Sequence, residues 1–222
     1  RKIFCPRGKM LGGCSSHNGM VFVRGNPLDF ERWASYDLPK WSYKNVLPYF
    51  KKLETWSGGE NLYRGGKGPL KVNRSKIDEA FPLFKSLIKA AAEAGYDTFE
   101  DSNGFKQDGF GTFDVTIDNG KRQGVSRAYL NEVKGYKNLL IEHNTDVSKI
   151  IFKEKKAIGV EIRRDNNSEI YYCNKEIILS SGSINSPKIL QLSGIGDEKT
   201  LSQNGIDVIN HLPGVGQNLQ DH

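Results

Sequence analysis

Residues 7–25 (RGKMLGGCSSHNGMVFVRG) gather Cys14, His17 and Asn18 among several glycines, a mixture of types that can do chemistry. The segment has too little periodicity for a helix or an ordinary strand and reads as a loop. The pair Gly12–Gly13 lets such a loop lay its backbone against a ligand, because no Cβ stands in the way. A second grouping lies at residues 176–196. There the apolar run EIILSS ends at Gly182, and Ser186, Pro187 and Gly194 then supply start and stop signals for a short helix. A buried strand, a glycine turn and a capped helix present backbone N–H groups to a phosphate, although most such turns bind nothing.

Other chemistries are set aside on spacing and composition. Cys5, Cys14 and Cys173 show no C-x-x-C spacing and no neighbouring His cluster, which argues against a zinc site or a disulfide framework and for a reducing compartment. The net charge of +6 raises a nucleic-acid-binding module as a reading from another class. Lys and Arg are interleaved with Asp and Glu along the whole chain, the pattern of a solvated surface, so no nucleic-acid partner is expected. No run approaches the about 18 apolar residues of a membrane span. His143 and His211 read as surface histidines.

The elements that must position these groups follow from periodicity. Ser42 with Val46, Leu47, Phe50 and Leu53 predicts a capped amphipathic helix with Pro48 inside it, and residues 56–68 read as surface turns. Asp78 caps a stronger helix bearing Phe81, Phe84, Leu87, Ile88 and Ala91 on one face, with Gly95 as its stop. Strands are predicted at 139–142, 147–152, 157–163 and 170–173, with 153–156 as a hairpin loop and 176–181 as a buried central strand. Ser186 is predicted to cap the following helix, with Pro187 at its first position.

Three long motifs in order then give a resemblance that covers essentially the whole chain. GKMLGGCSSHNGMVFVRGNPLDFERWA (8–34) resembles the first signature of the glucose–methanol–choline oxidoreductases, and GSINSPKILQLSGIG (182–196) is similar to their second. LPGVGQNLQDH (212–222) is similar to the turn that follows, and Asn103, Gly104, Gln107, Gly109 and the run from Arg127 to Leu130 also fit. Within the family, the wording is most similar to choline dehydrogenases. The resemblance implies a mixed α/β (α+β) fold, in which a Rossmann-like FAD-binding domain is interleaved with a substrate domain of antiparallel sheet and helices. It implies that the chain is an incomplete, internal fragment. Residues 1–34 would be the FAD-contacting loop, 35–135 mainly substrate-domain and connecting segments, and 136–222 a segment of the FAD-binding domain.

The activity so implied is FAD-dependent oxidation of a primary alcohol, choline to betaine aldehyde, by hydride transfer to the flavin. The partner is a small-molecule alcohol, and the choice between oxidase and dehydrogenase turns on oxygen access. A cyanohydrin lyase that keeps FAD is the alternative within the family. The expected location is the cytoplasm or a peripheral position on the inner face of a membrane. No G-x-G-x-x-G occurs near the start, so the resemblance places the pyrophosphate turn before Arg1 and the catalytic His beyond His222. No catalytic residue is therefore assigned within the chain.

Cofactor-binding residues carry over by position. Gly12 and Gly13 would pass the planar ring, while Asn18 and Gly19 would approach its reactive edge and oppose the negative charge that hydride brings. Met10 packs nearby, and Met20 and Val21 form wall. Val147 would meet the adenine through its backbone. Ser186 and Pro187 are capping residues or cofactor contacts, and Asn218, Asp221 and His222 form a turn that is cofactor-side or structural. His17 stands where choline oxidases bond a His covalently to the flavin's 8α carbon, so FAD linked through His17 is one expectation and simple packing the other. No metal site is expected.

Overall fold

The computed structural model describes residues 2, 4–76, 81–165 and 167–220. The chain divides into two units, Arg1–Leu140 and Ile141–His222, which are described separately.

In the first unit, β1 (Val21–Phe22) leads to α1 (Pro27–Ala34). The helix starts where it does because the Asn26 side chain accepts the Leu28 N–H at 2.9 Å and Pro27 at the first position has no N–H to satisfy. Phe30 is buried from α1 and meets Trp33 and Phe50 edge-on, with ring centroids 5.4 and 5.5 Å apart. As the sequence predicts, α2 (Tyr43–Leu53) follows Ser42 and contains Pro48. Its cap differs: the Tyr43 N–H goes to the Glu31 carboxylate at 2.9 Å, and the Ser42 hydroxyl caps nothing.

β2 (Glu54–Trp56), β3 (Leu70–Arg74) and β4 (Asp114–Val115) complete a four-stranded sheet in the order β1-β4-β3-β2, parallel only between β2 and β3. Leu70, Val72 and Ala128 are its buried core, with Phe22, Leu53 and Trp56 packed against them. Residues 56–68, expected at the surface, carry Arg64, which is fully buried for a reason that lies in its partners. A hairpin of β5 (Ile117–Asp118) and β6 (Lys121–Arg122) follows, then a π-helical turn at Ser126–Leu130. α3 (Pro82–Glu93) ends at Ala94 with Gly95 in the left-handed region, as predicted. Asp78, its predicted cap, lies outside the described residues, and the described helix begins after Phe81 with no side-chain cap.

In the second unit, β7 (Asp146–Lys153), β8 (Lys156–Arg164) and β9 (Asn167–Tyr172) form an antiparallel meander. The predicted hairpin is present, with Lys153 opposite Lys156 and Glu154 at φ 56°. Two predicted strands are absent: 139–142 and 176–181 are irregular. A strand exists only where neighbours take up its N–H and C=O groups. Among the described residues none pairs with 176–180, and Ile178 is 79% exposed.

α4 (Gly182–Leu192) starts earlier than predicted, with Ser181 at its N-cap and Pro187 in its interior. Ser186 is not the cap; its hydroxyl accepts the Ser181 N–H at 2.9 Å from within the helix. Ser193 ties this helix to β7, accepting the Ile150 N–H at 2.7 Å and donating to the Ile189 carbonyl at 2.5 Å. A parallel pair, β10 (Ile195–Gly196) and β11 (Asn210–His211), is bridged by α5 (Glu198–Gln203), whose first turn is capped by Asp197. Among the described residues, no helix is long and apolar enough to cross a membrane.

Candidate functional site

The glycine-rich loop of the first unit is held by its own polar groups. Gly12 and Gly13 both take positive φ, 88° and 53°, and turn the chain into a short 3-10 segment, Gly13–Ser16. The Ser15 hydroxyl donates to the Gly12 carbonyl at 2.6 Å and accepts the Val125 N–H at 2.9 Å, and Ser16 donates to the Leu11 carbonyl at 2.8 Å. The Cys14 carbonyl accepts from the N–H groups of His17 and Asn18 at 3.2 and 2.9 Å. Asn18 then turns back on itself, its Oδ1 accepting the Met20 N–H at 3.2 Å, while Met20 sits at φ 62°. The Met20 carbonyl is fixed by the Thr116 N–H at 2.8 Å.

An ideal Cβ separates the glycines by cause. At Gly12 it would lie 2.5 Å from the Ser16 hydroxyl and 3.1 Å from that of Ser126, so the protein itself demands glycine there. At Gly13 and Gly19 it would meet nothing within 4 Å. Gly19 has no positive φ and donates its N–H to no described residue. Met10 and Val21 are 57% and 54% exposed, and the exposed His17 ring has no hydrogen bond among the described residues. One edge of the loop thus offers open space, an unspent backbone donor, an imidazole and apolar surface. Those features fit a planar, partly polar cofactor.

Sequence reasoning missed the residue that reaches across this loop. Arg122 Nη1 donates to the carbonyls of Ser15 and Asn18 at 3.2 and 2.7 Å and to Asn18 Oδ1 at 2.7 Å. A single cation in a two-residue strand leaves no periodic signal, and its partners are about a hundred residues away.

A buried ionic cluster in the same unit was equally invisible. Glu54 accepts from Arg24 at 2.7 Å and from Arg64 at 2.8 Å, and Arg64 also reaches Asp101 at 2.6 Å and Asp114 at 2.7 Å. Arg74 adds a contact to Asp114 at 2.8 Å, and Arg64 lies over the Trp56 ring at 4.3 Å. Burial alone would depress the Arg64 guanidinium; the hydrogen bonds it donates to Glu54 and Asp114 reverse this and hold it above its ordinary value. For Arg24 burial wins, and its guanidinium falls below the ordinary value despite Glu54. Asn103 finishes the arrangement: its side chain accepts the Arg24 N–H at 2.7 Å and donates to the Phe22 carbonyl at 3.0 Å, as a neighbouring strand would. Gln107 adds a bond to the Arg24 carbonyl at 3.3 Å.

In the second unit, Val147 stands on β7 opposite Ile162 and lines a cavity of about 800 Å³ with Arg163, Ser181, Asn185 and Lys188. Pro187 and Asn218 line a separate cavity of about 540 Å³. Ser186 lines neither, its hydroxyl being engaged with Ser181. Asp221 and His222 lie outside the described residues. Among the described residues, no group of His, Cys, Asp or Glu could hold a metal ion.

Comparison with known proteins shows the family. Residues 1–222 match the GMC oxidoreductase family, and the chain belongs to that family. It is 46% identical over 222 residues to an oxygen-dependent choline dehydrogenase of Photobacterium profundum, covering all of this chain and 39% of that protein. It is 47% identical over 222 residues to the mitochondrial choline dehydrogenase of Homo sapiens, covering 37% of its length. Among solved structures, an FAD-dependent oxidoreductase from Chaetomium thermophilum superposes with a TM-score of 0.89 at 37% identity, over 97% of this chain and 39% of that one. The mixed helix-and-sheet fold is therefore that of GMC flavoproteins, and the chain spans well under half the length of these relatives.

Proposed function

We propose that this chain supplies part of the FAD site of an enzyme that oxidises choline to betaine aldehyde. The observation that carries the cofactor reading is the open edge at Gly13 and Gly19, where an added Cβ would meet no protein atom. The names of the relatives, choline dehydrogenases at 46% and 47% identity, carry the substrate reading. FAD, when bound, supplies the hydride acceptor.

On this reading the chain's residues bind and orient. Gly12 makes the turn, Gly13 and Gly19 leave room for the ring, and Met10, Met20 and Val21 give it apolar surface. The unspent Gly19 N–H, beside Asn18, opposes negative charge arriving on the ring, which is where a fixed dipole contributes most. Val147 and its cavity in the second unit take the adenine end. Residues 1–34 and 136–222 then belong to the FAD domain and 35–135 mainly to the substrate domain. The base that accepts the hydroxyl proton belongs to a part of the protein outside residues 1–222, so none of His17, His143, His211 or His222 is given that role. The same reading has the protein work in the cytoplasm or peripherally at the inner face of a membrane.

The test uses the full-length protein. It is expected to purify yellow, with flavin absorbance bound to polypeptide, and to reduce an acceptor dye in a choline-dependent way. A protein that carries no flavin and takes none up overturns the cofactor reading. A flavin-loaded protein that oxidises other primary alcohols but not choline overturns only the substrate.

A further inference from the structure

The loop that carries Asn18, Gly19 and Met20 cannot hold its shape by local preference. Met20 is a non-glycine residue at φ 62°, a conformation that costs free energy unless its surroundings impose it. Its N–H is satisfied by Asn18 Oδ1 at 3.2 Å, which requires the Asn18 side chain to fold back over its own backbone. In that position Asn18 Oδ1 and the Asn18 carbonyl converge, and two oxygens turned the same way repel. A cation between them removes the conflict. Arg122 Nη1 sits there, 2.7 Å from each, and also reaches the Ser15 carbonyl at 3.2 Å.

The cation is itself mounted on a brace. β6 pairs with β5, Ile117 opposite Arg122, and the residue before β5, Thr116, accepts the Gln123 N–H at 2.8 Å while donating its own N–H to the Met20 carbonyl at 2.8 Å. Three residues past Arg122, the Val125 N–H donates to the Ser15 hydroxyl at 2.9 Å. The hairpin thus grips the loop at Ser15, Asn18 and Met20 and leaves the Gly19 N–H between them without a partner among the described residues.

We propose that Arg122 is a positioning residue for the flavin-facing loop: by neutralising the convergent oxygens of Ser15 and Asn18 it locks the turn that aims the Gly19 N–H at the cofactor. This deepens the FAD reading above and rests on it. Arg122 acts through the loop and need not touch the cofactor.

The test compares Arg122→Met, Arg122→Lys and Val72→Ala in the full-length holoprotein. The readouts are thermal stability, the rate of flavin release on dilution, and the visible circular dichroism of bound flavin, which reports the ring's asymmetric surroundings. Arg122→Met is expected to release flavin on the order of tenfold faster, the loss that follows when charged hydrogen bonds are removed, and to change the dichroism. Arg122→Lys, whose ammonium carries several donors, is expected to recover most of both properties. Val72→Ala opens the fully buried core without touching the loop, and should lower Tm while leaving the dichroism unchanged.

An Arg122→Met protein with unaltered release and dichroism overturns the proposal. So does Arg122→Lys behaving no better than Arg122→Met, or Val72→Ala reproducing the Arg122→Met dichroism, since the effect would then be general destabilisation. Should Arg122→Met fail to fold, Arg122→Gln takes its place in the same comparison. An unmodified protein without flavin removes the FAD reading and this inference together, an outcome distinct from flavin retained by all variants.

Discussion

Glycine at one position and glycine six residues later can be required for opposite reasons, and the loop at residues 7–25 contains both cases. A side chain at Gly13 would be strained by φ 53° whatever the ligand, whereas at Gly19 neither strain nor a protein neighbour opposes one. Gly19→Val in the full-length protein is therefore expected to leave the Tm of the flavin-free form within about 1 °C, since a surface change without a lost contact is close to neutral. Its flavin content should fall several-fold, measured as absorbance per polypeptide. Undiminished flavin would show that Gly19 faces solvent and not cofactor. His17 gives a second prediction at this scale. Its imidazole is exposed and unengaged among the described residues, a state compatible with a bond to carbon. In acid precipitation of the full-length protein, yellow colour that stays with the protein and is lost in His17→Ala assigns the link. Colour passing wholly to the supernatant of the unmodified enzyme excludes the link.

Elements in the first unit depend on partners distant in sequence. Glu54 at the start of β2 is surrounded by Arg24 and Arg64 with no exposed surface of its own. Replacing it by Gln leaves two buried guanidinium groups facing a neutral amide, and removing one partner of a buried ion pair costs about 3–5 kcal/mol. Denaturant unfolding of the full-length protein should detect that loss in the transition of this unit; a change below about 1 kcal/mol, the value of a surface pair, would show that the cluster is hydrated. Asn26 is a milder case. Its cap of the Leu28 N–H is exposed, so Asn26→Ala should cost about 1 kcal/mol, read as a shifted midpoint with unchanged slope. Asn103→Ala is expected to cost more than Asn26→Ala, because it leaves the buried Arg24 N–H without its partner.

At the scale of the whole molecule, apolar side chains remain uncovered in both units: Leu83 at 76% and Leu140 at 75% in the first, and Ile178 at 79% in the second. Residues 1–222 expressed alone and supplied with FAD are expected to show no choline-dependent dye reduction, in contrast to what the proposed function expects of the full-length protein; clear turnover by residues 1–222 would refute this. The family was written in the sequence, because glycine turns, caps and the order of three long motifs are local and survive without knowledge of contacts. The meander of β7, β8 and β9 was legible for the same reason: each strand pairs with its sequence neighbour across a short turn. The apolar run at 176–181 predicts a strand that the structure does not form, since hydrophobicity records a need for neighbours and only pairing supplies them. Arg122, the Glu54 cluster and the strand-like clasp of Asn103 were decided only in three dimensions, because a charge in the sequence carries no mark of the partner that will bury or neutralise it.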